Sequence, residues 1–182
     1  CIVVLLLVSI SRLYLGVHTP ADVGVSFLLA ALLVFILYPL IESTLWFPER
    51  LYAILGTMLA FSLAFVAFIE FYTFPAGMDG PNFASAVKNA YSMSGAVGGM
   101  LVVSAVDEKM LHFPNRAPWW GQAVKLAGGL ALVLFVKSIL KSPLLALFGG
   151  HEAAHAVRYF LMVLAAGCLW PMTFRYFAQY AK

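Results

Sequence analysis

The chain has 182 residues, 63% of them hydrophobic and only 10% charged, with a mean hydropathy of +0.95. A water-soluble domain carries about 25% charged residues, so that class is excluded. The formal net charge of +3 is small and scattered, which argues against nucleic acid as a partner and leaves ordinary contact with anionic membrane lipid.

The composition predicts an all-α fold, a polytopic transmembrane helical bundle without strand pattern, internal repeat or soluble domain. Residues 1–10 are a purely apolar run, too short for a crossing of about 20 residues. They read as the end of a helix whose beginning lies upstream. The first residue is Cys rather than Met and no signal peptide is visible, so the chain reads as N-terminally truncated. Residues 11–22 bring polar groups to a membrane boundary. Residues 23–41 carry no charge and predict a span. Residues 42–50 make a short polar turn, and 51–69 form the next span, closed by Glu70 and the interfacial aromatics Phe71, Tyr72 and Phe74.

Residues 75–89 predict a loop. Residues 90–106 form a shorter span containing Gly95-x-x-x-Gly99, a pattern that lets helices approach closely. A polar stretch, 107–122, ends in the anchor pair Trp119-Trp120. The span 123–140 carries Lys125 and Lys137 near its ends, 141–150 is a second loop, and 153–177 closes the chain with a kink at Pro171. The expectation is about five complete spans after a partial one. Residues 1–45 form one part and 46–182 add further membrane helices. Cys1 and Cys168 lie in apolar segments and make no disulfide or zinc framework.

The chemistry gathers in residues 11–22. Arg12 is a fixed cation whose planar fork of donors suits phosphate oxygens. His18 can serve as nucleophile or proton carrier near neutral pH. Asp22 follows one helical turn later, where it can hold the imidazole in one tautomer. Thr19 and Pro20 suit the cap and first position of the following helix, whose N-terminus favours an anion. Structural readings compete: Thr19-x-x-Asp22 is also a capping box, and Arg12 can snorkel to the headgroups.

At these residues the chain resembles the type 2 phosphatidic acid phosphatases, which are related to the vanadium haloperoxidases. Their third signature is Ser-Arg, five residues, His, three residues, Asp, matched here by Ser11, Arg12, His18 and Asp22, with Tyr14, Gly16 and Val23 in agreement. The resemblance implies a membrane phosphatase hydrolysing a lipid phosphate or polyprenyl pyrophosphate through a phosphohistidine, with no cofactor and no metal. His18 and Asp22 would be catalytic, and Arg12 and Ser11 would bind phosphate. The site would face outward from the cell membrane. Counting cations by side gives Arg12, Lys88, Lys137, Lys141 and Arg158 outside against Arg50, Lys109, Arg116, Lys125, Arg175 and Lys182 inside, almost no bias, so orientation rests on the resemblance.

The family's earlier signatures, Lys, six residues, Arg-Pro, and Pro-Ser-Gly-His, do not stand in their place. Lys109 to Arg116 has the first spacing with Ala117 for the proline, and Ser94-Gly95 is followed by Ala96. The site in this chain therefore reads as half a site, inactive by itself. The later part also resembles, loosely, the C-terminal extension of some bacterial members. The resembling pieces run from Tyr91 to Gly99, from Gly128 to Lys137, and from Arg158 to Pro171, together with Asp107-Glu108.

Two other classes fit parts of the chain. His151-Glu152-x-x-His155 has the spacing of a zinc metalloprotease, with Asp79-Gly80 as a candidate third-ligand loop standing before the motif rather than after it. A non-enzymatic bundle or transporter would use Glu70, Lys88 or Arg158 as polar groups inside the membrane.

Overall fold

The computed structural model describes residues 2–16, 19–74, 80–111 and 117–178. Eight α-helices are found among them: α1 (Ile2–Tyr14), α2 (Pro20–Glu42), α3 (Glu49–Phe71), α4 (Gly80–Val106), α5 (Trp119–Ile139), α6 (Lys141–Leu147), α7 (Ala153–Leu164) and α8 (Phe174–Ala178). No strand occurs among the described residues, as the composition requires. The chain divides into two compact units, Cys1–Leu51 and Tyr52–Lys182.

The first unit holds α1 and α2. Helix α1 has 13 residues, about 20 Å at 1.5 Å per residue, less than the roughly 30 Å of a hydrocarbon core. It runs four residues beyond the expected 1–10, because nothing before Gly16 breaks it and Ser11 returns its hydroxyl to the Val8 carbonyl at 2.8 Å. Gly16, at φ +67°, ends the helix in the left-handed conformation that costs glycine nothing, and its N–H closes on Leu13 O at 3.0 Å. Helix α2 is apolar on all sides and buries no residue. A helix of that character is solvated by lipid rather than by protein.

In the second unit α4 and α7 are the central pair. A Cβ on Gly95 would lie 2.0 Å from the Ala156 carbonyl oxygen, one on Gly99 2.8 Å from Val163 Cβ, and one on Gly167 2.5 Å from Val103 Cγ1. The paired numbers rise together, so the two helices run parallel with backbones nearly touching. Helix α5 runs the other way against α7. Trp170 lies over Gly128 and Gly129, its Nε1 donates to Lys125 O at 2.8 Å, and the Lys125 ammonium sits 4.4 Å from the Phe174 ring centroid. Helix α3 is antiparallel to α4 and clasped at both ends: Tyr91 Oη donates to Glu70 Oε1 at 2.9 Å, and Tyr52 Oη to Glu108 Oε2.

Among the described residues four segments are long and apolar enough to cross a membrane: Pro20–Leu45, Glu49–Phe71, Trp119–Leu147 and Ala153–Tyr176. The fifth expected span, 90–106, falls within α4, which is long but richer in Gly, Ser and Ala. It buries Ala90, Ser92, Ser94, Gly95, Val97 and Gly99. A helix packed on protein neighbours needs less apolar surface than one facing lipid. Its two buried serines satisfy themselves, Ser92 on Lys88 O at 2.7 Å and Ser94 on Tyr91 O at 2.9 Å.

Three further boundaries differ from expectation. Residues 80–89 are helical, because Gly80 and Pro81 stand in the first turn of α4, where a missing N–H goes unnoticed. The expected loop at 141–150 is largely helix α6, with Pro143 again in a first turn. The last span leaves α geometry at Ala165, six residues before Pro171, through a wide turn in which Trp170 N bonds Ala165 O at 2.9 Å. A proline ring clashes with the carbonyl four residues back, so the turn before it widens, and there Gly167 meets Val103.

Candidate active site

Of the expected site residues, the first unit brings Arg12 and Asp22 to one cleft. Arg12 lies in the last turn of α1. Thr19, in extended conformation, caps α2, with Pro20 first in the helix. The capping box is complete: Thr19 N donates to Asp22 Oδ2 at 2.8 Å, and Asp22 N donates to Thr19 Oγ1 at 3.2 Å. The structural reading of Thr19-x-x-Asp22 is therefore realised. It fixes the Asp22 carboxylate through one oxygen and takes two of the donors at the helix start.

Arg12 and Asp22 line the same cleft between α1 and α2, of about 310 Å³, together with Leu5, Val8, Val23 and Phe27. Most of its lining is apolar, and Arg12 and Asp22 are its ionic groups. Ser11 is not among the lining residues, and its hydroxyl is directed to Val8 O. Ser9 and Ser26 do line the cleft, and sequence reasoning passed over both. The signal was spacing: Ser9 stands three residues before Arg12 and Ser26 four after Asp22, on the same helix faces. His18 lies outside the described residues.

The zinc pattern does not assemble as a ligand pair. Two histidines four apart face one metal only when both are helical, and α7 begins at Ala153, after His151. His151 Nδ1 instead accepts from Ala153 N at 3.1 Å and its ring packs edge-on to Tyr91. His155 is buried one turn further, with Nε2 3.1 Å from Glu152 Oε2. Among the described residues no group of three His, Cys, Asp or Glu side chains converges as metal ligands would. The candidate third-ligand residue Asp79 lies outside the described residues.

Helix content and apolar spans define an α-helical membrane protein, with a guanidinium and a carboxylate from two helices lining one cleft. Two family models match the chain: the PAP2 superfamily over residues 1–46, and the PAP2 superfamily phosphatase transmembrane extension over residues 91–182. The chain belongs to the PAP2 superfamily of phosphatases and carries its transmembrane extension. No curated protein and no solved structure matches it.

Proposed function

We propose that this membrane phosphatase removes phosphate from a lipid phosphate or a polyprenyl pyrophosphate through a phosphohistidine at His18. The observation that carries the reading is that Arg12 and Asp22, from different helices, line one cleft, and His18 stands between them in the sequence. In the reaction an imidazole nitrogen of His18 forms a bond to phosphorus as the bond from phosphorus to the leaving oxygen breaks, and that oxygen takes its proton from solvent water. Water then attacks phosphorus, releases inorganic phosphate and regenerates His18. Catalysis of such a transfer is mostly charge stabilisation and positioning. Arg12 neutralises the equatorial oxygens. Asp22 steadies the imidazolium.

We assign residues 1–45 to the phosphatase core and 46–182 to further helices of the same membrane domain, with the cleft opening to the outer face of the cell membrane. The apolar lining from Leu5, Val8, Val23 and Phe27 supports a lipid tail on the substrate. The test is phosphate release by the full-length gene product from phosphatidate and from a polyprenyl pyrophosphate in mixed micelles. His18→Ala should abolish turnover of whichever substrate is cleaved while membrane insertion is unchanged. Near-normal turnover in a folded His18→Ala protein overturns the proposal.

A further inference from the structure

The second unit buries cationic chemistry that the phosphatase reading does not use. Arg158 is only 4% exposed and His155 5%, neighbours one turn apart on α7. The Arg158 Nε and the His155 Nδ1 are both buried with no hydrogen-bond partner. The one aromatic contact of the guanidinium is the adjacent Tyr159 ring, 5.4 Å away. Two exposed lysines, Lys88 on α4 and Lys141 at the start of α6, stand within electrostatic reach of His155, as does Arg158. The acid acting on the group is Glu152, 3.1 Å from His155 Nε2. Nearby Glu70 is taken by the Tyr91 hydroxyl at 2.9 Å.

Arg158 and His155 are thus buried side by side with Glu152 as the carboxylate in contact. A buried guanidinium without a matched anion is costly, because desolvation of the charge is not offset. The geometry points to a phosphate-binding site beside the first turns of α7, centred on the buried Arg158 and His155, with Lys88 and Lys141 within electrostatic reach. Arginine's planar fork matches phosphate oxygens, and the lysines within reach attract a group of higher charge than a carboxylate. The phosphate is either free in solution or the headgroup of an anionic phospholipid. This inference is independent of the role given to His18.

The test uses the full chain in phosphatidylcholine nanodiscs, melted in the presence of increasing inorganic phosphate at constant ionic strength. A second arm replaces part of the phosphatidylcholine with phosphatidylglycerol. A melting temperature that rises with phosphate assigns the site to the free anion, and one that rises only with phosphatidylglycerol assigns it to a headgroup. In the arm that responds, Arg158→Met should weaken binding about tenfold or more, while without ligand it melts no lower than the parent. Lys88→Ala, an exposed change that leaves the core intact, should weaken it severalfold, and Glu152→Gln should tighten it. No stabilisation in either arm, or stabilisation undiminished by both Arg158→Met and Lys88→Ala, overturns the site.

Discussion

Asp22 carries two duties that single substitutions can separate. As the third helical residue it accepts from Thr19 N, and as a carboxylate beside the turn it serves the proposed chemistry. Asparagine keeps an acceptor oxygen and loses the charge, so Asp22→Asn should hold stability within about 0.5 kcal/mol while reducing turnover at least about a hundredfold. Thr19→Ala does the reverse: it should cost about 1 kcal/mol of stability, read by thermal or denaturant unfolding, and leave the carboxylate charge in place. Equal loss of activity in Asp22→Asn and Thr19→Ala would mean that the turn acts only as a cap. The cap was legible in the sequence because it is a contact over three residues. The Arg12–Asp22 cleft was legible only as a family pattern, since nothing in the spacing alone says that α1 and α2 fold back on one turn. The hydroxyls of Ser9 and Ser26 were hidden in runs that read as plain lipid-facing helix.

Among the helices, the α4–α7 contact makes the sharpest demand on sequence. At Gly95 a methyl group would sit 2.0 Å from the Ala156 carbonyl oxygen, which is backbone and cannot swing away. At Gly98 the nearest atom is 3.7 Å off, on the Phe160 side chain, an ordinary contact. Gly95→Ala should therefore destabilise the second unit by about 1–3 kcal/mol, whereas Gly98→Ala should be neutral or stabilising by up to about 1 kcal/mol from helix propensity. Unfolding in detergent monitored by circular dichroism checks both, and equal effects would contradict the close approach. The pattern Gly95-x-x-x-Gly99 announced such a contact but not its partner. The kink was legible from Pro171, but not its start at Ala165, six residues earlier, nor the close approach of Gly167 to Val103, 64 positions away in sequence. Residues 80–89 and 141–147 looked like loops because proline and glycine begin helices as readily as they end them.

For the molecule, mean hydropathy and charge were sufficient to fix the membrane class, and the four apolar segments follow from them. The standing of α4 does not, because a helix lined by protein is free to be polar. With 27 residues, about 40 Å, α4 is long enough to cross. Cysteines placed at Asn82 and Met110 in a chain with Cys1 and Cys168 replaced should react with impermeant thiol reagents from opposite sides of sealed vesicles. Labelling from one side alone would make α4 a helix that does not span.

The account as a whole turns on a covalent bond between phosphorus and His18. Full-length protein mixed briefly with its lipid phosphate, quenched in alkali to preserve an acid-labile phosphoramidate, and digested for mass spectrometry reads that bond directly. The phosphoryl group is predicted on His18, absent from His18→Ala and accumulating within the first turnover. Turnover without any phosphohistidine, or with the label on another residue, would contradict it.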